Sequence, residues 1–231
     1  MQYAYSSKDV SIDPLVYTFG IYIIDAKSIL ADSSVPHEWD KEKEKKLLKG
    51  SYLYDSEEQT KEYIIHDDGR KVAGSNLSSG QQEIIPLIAS LKEIMAHGLP
   101  RKENLFIEEP EAHLYPDNQK IVTELIIRVH NFNKTQLFIT THSPYILTAF
   151  NNLMKAGQLK KEGNIPLEEL TSVVPENEII DPSVVAAYHL EDGTAESIID
   201  PETQLILAER IDQASETIAE QFDKLLDLQY G

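Results

Sequence analysis

The sequence predicts an α/β fold with parallel core strands flanked by helices. Leu105-Phe106-Ile107 is a run of three large apolar residues that ends in Glu108-Glu109 and then Pro110. It reads as a short buried strand, stopped by a residue with no ladder N–H to donate. Leu137-Phe138-Ile139-Thr140 is a second such strand, running into Thr141-His142-Ser143-Pro144. Between them Ile121, Leu125, Ile126 and Val129 recur at helical spacing. Strand, helix and strand within about 36 residues make a right-handed parallel unit. That order sets Glu108, Glu109 and His142 at the carboxyl ends of neighbouring strands, where open α/β sheets hold their ligands.

Composition bounds the rest. The 231 residues are 41% hydrophobic and 26% charged, enough for one large domain or two small ones with a proper core. The absence of cysteine excludes disulfides, a thiolate metal site and a cysteine nucleophile, and suits a reducing, cytoplasmic location. No apolar run reaches membrane-spanning length, and Met1 to Asp9 lack the pattern of a signal peptide. The net charge of −18 is lopsided: residues 162–231 carry 17 acidic and 2 basic side chains, or −15. An acidic tail of this kind repels phosphate backbones, so it reads as a solvated helix face and not as a nucleic-acid surface.

Taken in order, Gly20 to Ala26 reads as a buried strand. Ser34 to Lys49, with the run Lys41-Glu42-Lys43-Glu44-Lys45-Lys46, reads as a solvated helix of mixed charge. Tyr52-Leu53-Tyr54 and Tyr63-Ile64-Ile65-His66 are strands. Asp67-Asp68-Gly69-Arg70 is a turn and Lys71-Val72 a return strand, giving a small antiparallel meander over residues 50–74. Asn76-Leu77-Ser78-Ser79-Gly80-Gln81-Gln82 opens a helix from about Gln81 to His97, capped by Ser78 or Ser79, with Ile84, Ile88, Leu91 and Met95 as its apolar stripe. A further helix spans about Asp117 to Asn131, and another about Tyr145 to Ala156 behind Pro144. Residues 157–182 are expected to be loop, with short strands near Ser172-Val173-Val174 and Ile179-Ile180. A strand is expected over Ser183 to Leu190, then a turn at Glu191-Asp192-Gly193. About Glu202 to Leu228 reads as one long amphipathic helix with Leu207, Ile211, Ala214, Ile218, Phe222 and Leu225 on one face.

Three segments in this order and spacing resemble the C-terminal half of an ABC-type P-loop ATPase. Leu77-Ser78-Ser79-Gly80-Gln81-Gln82 resembles the signature motif. Leu105-Phe106-Ile107-Glu108-Glu109-Pro110-Glu111-Ala112-His113-Leu114-Tyr115-Pro116 resembles Walker B with its D-loop, and Ile139-Thr140-Thr141-His142-Ser143-Pro144 resembles the H-loop. The wording is similar to the AAA-type, OLD-like and SMC-like branch rather than to transporter cassettes. The resemblance covers roughly residues 70–150. A looser one lies in Tyr22-Ile23-Ile24-Asp25-Ala26-Lys27-Ser28, where three family residues differ and no role carries over.

The resemblance implies roles. Glu109 stands where the general base orients the attacking water, and His142 where the γ-phosphate is sensed. Glu108 stands where most cassettes place an aspartate that contacts Mg²⁺ through water. Ser78, Ser79, Gly80 and Gln81 would meet the ATP held by a second subunit, with backbone N–H groups at the helix start forming an anion site. His113, among Glu108, Glu109 and Glu111, invites a metal-cluster reading, but its place in the D-loop-like wording accounts for it.

The resemblance further implies an ATPase acting as a nucleotide-sandwich homodimer with a nuclease or another nucleic-acid-handling or defence partner. The phosphate cradle Gly-x-x-x-x-Gly-Lys-Ser/Thr is missing, since no Gly-Lys pair occurs anywhere. The chain is therefore expected to be the C-terminal portion of a cassette, inactive alone: a piece of a longer chain, a truncated gene product, or half of a split protein whose N-terminal half is the partner. The expected organisation is a partial N-terminal lobe over 1–76, the ATPase core over 77–190 and an acidic C-terminal helix over 191–231. The competing reading is a non-catalytic remnant or interaction module that keeps the fold.

Overall fold

A computed structural model describes residues 29–30, 36–55, 61–97, 104–208 and 213–230. The expected strand at Gly20 to Ala26 lies outside them. The chain divides into two units, one of residues 1–39 and 48–97 and the other of residues 40–47 and 98–231.

In chain order the elements are α1 (Lys41–Leu48), β1 (Ser51–Asp55), β2 (Lys61–Ile65), β3 (Lys71–Ala73) and α2 (Ser79–His97). After them come β4 (Asn104–Glu108), α3 (Pro116–Asn133), β5 (Gln136–Thr140), α4 (Pro144–Glu162), α5 (Leu167–Val173), β6 (Tyr188–Glu191), β7 (Thr194–Ser197) and α6 (Gln213–Tyr230).

The first unit holds the expected meander. β1, β2 and β3 pair antiparallel in that order, with Ser51 opposite Ile65 and Tyr63 opposite Ala73. The link from β2 to β3 turns at Gly69, whose φ of 82° suits a residue without Cβ. His66 is less a strand residue than a hinge of this turn: its N–H donates to the Arg70 carbonyl, and its carbonyl accepts from Gly69. Tyr52 donates to Glu62 Oε2 at 2.7 Å. Burial, and then that carboxylate, push the Tyr52 phenol well above its ordinary range. In α2 the expected stripe of Ile84, Ile88, Leu91 and Met95 is buried, joined by Ile85, Ala89 and Ile94.

The second unit carries the parallel pair. β4 and β5 run parallel in the register Asn104 to Gln136 through Glu108 to Thr140, with α3 as the crossover. Ile121, Val122, Leu125, Ile126, Ile127 and Val129 of α3 are buried, and each large one contributes about 1.5–3 kcal/mol over an exposed side chain. Ile127 joins Leu147, Leu153, Met154, Ile180, Ile198 and Ile206 in a core cluster of this unit. The expectation of wholly buried strands is corrected. Side chains alternate across a sheet, and the face carrying Phe106 and Phe138 is open, with Phe106 67% exposed. The two rings stack at 4.7 Å between centroids, 11° from parallel.

Larger corrections fall after residue 156. α4 runs on to Glu162 because Gly157 serves packing, not a turn: a Cβ there would lie 2.0 Å from the Ile180 carbonyl oxygen. Ser172-Val173 ends the helix α5 and is no strand. Glu168 and Glu169 in the first turn favour that helix, and Leu170 anchors it beside Ala156 and Ile179. Ile179 and Ile180 are buried but unpaired to any strand; they follow a 3₁₀ turn, Glu176–Glu178. Of the expected strand Ser183 to Leu190 only the end is β, since Pro182–Val184 form a 3₁₀ turn capped by Asp181. The hairpin turn at Asp192-Gly193 stands, joining β6 to β7.

The long C-terminal helix is shorter than expected. Asp200 starts a turn, Ile199 pairs with Ile206 across it, and Leu207 donates back to the Ile198 carbonyl. The helix is described from Gln213, and its Phe222 and Leu225 are exposed. Ile211 lies outside the described residues.

The lysine-rich α1 is also corrected. It is not simply solvated, because Lys43 turns inward onto an ionic knot with α3 and the 176–178 turn. Arg128 Nη2 reaches Asp40 Oδ2 at 3.0 Å and Glu178 Oε1 at 2.5 Å, while Lys43 Nζ lies 2.5 Å from Glu178 Oε1 and 2.9 Å from Glu124 Oε2. Lys120 closes the set on Glu124. Three carboxylates meet three cations, as burial of charge demands.

Candidate active site

The parallel register delivers Glu108 and Thr140 together to the carboxyl ends of β4 and β5. One further ladder bond, from the Glu109 N–H to the Thr140 carbonyl at 2.9 Å, carries the pairing past the end of β4. The chain then reverses. Glu109 sits at φ 43° and His113 at φ 54°, both in the left-handed region that a residue with a Cβ enters at a cost. Pro110 follows Glu109, the Ala112 N–H donates to the Glu109 carbonyl, and the Leu114 N–H donates to the Glu111 carbonyl. Pro116 then opens α3, where a missing N–H costs nothing.

The second loop is the segment 141–143. Ser143 caps α4, its Oγ accepting from the Tyr145 N–H at 3.1 Å. His142 projects beside the first loop, with Nε2 3.4 Å from Glu109 Oε1. Both side chains are open to solvent, His142 at 86% and Glu109 at 55% exposure. The sequence-predicted pair is therefore brought together, on an accessible edge, with the carboxylate on strained backbone. Glu108 is exposed beside it, on the open face with Phe106.

Sequence reasoning passed over Glu111 except as a neighbour of His113. Its Oε1 accepts from Thr141 Oγ1 at 2.8 Å and from the His142 N–H at 2.7 Å, so it ties the two loops. The alternation of polar residues in Thr141-His142-Ser143 was the available signal, because inward hydroxyls at a strand end need partners. Among the described residues no group of three or more His, Cys, Asp or Glu side chains is placed to hold a metal ion.

Ser78, Ser79, Gly80 and Gln81 lie in the first unit, at the start of α2. Ser78 and Gln81 form a reciprocal capping box: the Gln81 N–H donates to Ser78 Oγ at 3.3 Å, and the Ser78 N–H donates to Gln81 Oε1 at 3.1 Å. The Gln81 amide also donates to the Leu48 carbonyl at 2.7 Å, fixing the helix start to the end of α1. The loop is thus pre-ordered by its own side chains.

Residues 22–147, more than half of the chain, match the family model described as an AAA ATPase domain. The chain belongs to the AAA ATPase domain family. The matched span holds the capping-box loop, both parallel strands and the first turn of α4. The mixed α/β architecture with its parallel strands agrees with a P-loop AAA-type domain, whose general chemistry is ATP binding and hydrolysis. Among the described residues of this AAA ATPase domain, no helix is long and apolar enough to cross a membrane.

The chemistry of the donor set fits the group such a family uses. Mg²⁺ takes hard oxygen ligands, keeps several waters, and needs only one or two carboxylates beside substrate phosphates. The exposed Glu108 carboxylate offers that kind of ligand.

Proposed function

We propose that this AAA ATPase domain is the signature, Walker B and H-loop portion of an ABC-like ATPase of the OLD-like and SMC-like branch. It hydrolyses ATP when another segment or subunit supplies the phosphate-binding loop that its sequence lacks. The observation that carries the reading is Glu109: a carboxylate on left-handed backbone at the carboxyl edge of a parallel pair, 3.4 Å from the His142 imidazole. Strain of this kind gathers at sites where a side chain must be aimed.

Bound Mg-ATP would supply the reacting phosphoryl group and the cation that neutralises its charge. Glu109 orients the attacking water and accepts its proton. His142 stands beside it and would donate a hydrogen bond to the reacting end of the nucleotide, and Glu108 would help to hold Mg²⁺. Ser78, Ser79, Gly80 and Gln81 face the nucleotide of a second copy, so ATP closes a homodimer. The open face of Phe106 and Phe138 suits contact with a further segment or subunit, because parallel sheets are commonly covered on both sides. The assembled ATPase drives a nuclease or other nucleic-acid-handling partner in the cytoplasm.

The test is Glu109→Gln in the assembly that contains a phosphate-binding loop. Losing a general base lowers the rate by about 10²–10⁴-fold. ATP should still bind and trap a dimer, visible as a doubled mass in light scattering with Mg-ATP. Ser78→Arg should abolish that dimer. Hydrolysis by Glu109→Gln at the wild-type rate would remove the catalytic role and leave a non-catalytic interaction module as the better reading.

A further inference from the structure

We propose that Glu111 is a positioning residue, which pins the backbone of His142 and so sets where the imidazole stands against Glu109. The kinetic part of this inference rests on the ATPase reading above; the structural part does not.

The argument begins with the backbone. The left-handed Glu109 and His113 fold the segment between them into a tight turn. From that turn the Glu111 side chain reaches across to the loop after β5. Its Oε1 takes two donors from consecutive residues, Thr141 Oγ1 at 2.8 Å and the His142 N–H at 2.7 Å. Hydrogen bonds to an ionised acceptor are shorter and stronger than neutral ones. The other oxygen, Oε2, is buried and accepts no hydrogen bond. A carboxylate enclosed in this way is not a solvent-facing side chain that happens to touch its neighbour; it stays because Oε1 is held.

The pin is itself held. Thr141 Oγ1, which donates to Glu111, accepts from the Ser143 N–H at 3.0 Å. Ser143 Oγ donates to Gln119 Oε1 at 2.5 Å, and Gln119 Nε2 donates to the Leu114 carbonyl at 2.9 Å. Leu114 ends the same turn that carries Glu111, so the hydrogen bonds run from one loop to the other and back. His142 is 86% exposed and Glu109 is 55% exposed, so packing does little to fix either. The His142 main chain is fixed instead, from beneath, by Glu111. Loss of the pin would let the loop after β5 move, and misplacement of a reacting group by about 1 Å can cost about 10²-fold in rate. Two donors on one oxygen also define the length required: aspartate is one methylene too short, whereas glutamine keeps an acceptor oxygen in place.

The experiment uses Glu111→Ala, Glu111→Asp and Glu111→Gln. Amide hydrogen exchange on the full chain should show the His142 N–H exchanging at least about tenfold faster in Glu111→Ala and Glu111→Asp. Glu111→Gln should keep its protection, and the Val122 and Ile126 amides of α3 should be unchanged throughout. Unchanged exchange at His142 in Glu111→Ala would overturn the pin, whatever the protein hydrolyses. In the assembly with a phosphate-binding loop, Glu111→Ala should lower kcat by about 10²-fold with KM for ATP within about twofold, and Glu111→Gln should restore it. Undiminished kcat in Glu111→Ala beside an inactive Glu109→Gln would overturn the positioning role while leaving the ATPase reading intact. Absence of turnover in the wild-type assembly would count against the ATPase reading alone, and exchange at His142 would then decide the pin.

Discussion

The second unit holds two clusters of charged side chains that are built on opposite terms. In the knot of Asp40, Lys43, Lys120, Glu124, Arg128 and Glu178, charges balance and partners share atoms; Glu178 has no exposed side-chain surface. At the ends of β4 and β5, Glu109 stands against the His142 imidazole, Glu111 holds the His142 backbone N–H, and Glu108 lies exposed at the end of β4. The first cluster uses charge to join α1 and the 176–178 turn to α3. The second leaves Glu108, Glu109 and His142 open to solvent. Buried charge held by counter-ions serves the fold, and exposed charge on strained backbone is where the proposed chemistry would sit.

The largest effect expected from this contrast is at the knot. Arg128→Met removes one of the two cations on Glu178, a carboxylate that cannot reach water, and breaking such a buried pair costs about 3–5 kcal/mol. Urea unfolding should show the loss as a lower midpoint with an unchanged slope. Arg128→Met with Glu178→Leu should recover most of it, since well-packed apolar residues replace a buried pair at little cost. A single variant as stable as the wild type would mean that the knot is not a supporting structure.

At the site the sign should reverse. Glu109 at φ 43° sits where an L-residue costs about 1–2 kcal/mol and glycine costs little. Glu109→Gly should therefore raise stability by about 1 kcal/mol, after glycine's larger chain entropy is counted, while turnover in the complete assembly is lost. For a chain of this size the melting temperature should rise by about 2–4 °C. A fall would show that Glu109 supports the fold and would dissolve the contrast between the two clusters.

The sequence made the site legible further than it did the knot. β4, β5 and their crossover announced themselves because short apolar runs with polar ends and a helical stripe between them have few other solutions. The strand ends gave the positions of Glu109 and His142, and the resemblance to ABC-type ATPases gave their expected roles. The knot was hidden because its members are 138 residues apart in the chain at the extremes, Asp40 to Glu178, and Lys43 sits in a run that reads as solvated. Gly157 misled for a similar reason: its role is to admit the Ile180 carbonyl, a contact that no local pattern encodes. Glu111 was overlooked because one carboxylate among three looks like charge density until its two donors are seen. The acidic tail was over-read as helix because Leu207 keeps the helical spacing even though it lies in the turn that returns from Asp200.

The smallest effect tests a carboxylate that belongs to neither cluster. Asp200 is half-buried, and its Oδ1 accepts from the Thr203 N–H at 2.6 Å, Thr203 Oγ1 at 2.8 Å and the Glu202 N–H at 3.1 Å. The Thr203 backbone bond above all, then its hydroxyl, holds the Asp200 carboxyl below the usual aspartate range. The folded state therefore binds this proton less readily than the unfolded chain. The resulting stability is fully present above the unfolded value of about 3.9 and is lost as pH falls through the lower folded value. Asp68 and Asp181, also held low by local hydrogen bonds, act with the same sign, so wild-type unfolding alone cannot isolate Asp200. Asp200→Asn keeps an acceptor oxygen and removes the titration. The wild type should exceed this variant in stability at pH 6, and the difference should shrink steadily below about pH 4. A difference as large at pH 3 as at pH 6 would mean that the turn depends on the shape of Asp200 and not on its charge. Asp200 would then differ from both clusters in needing no charge at all.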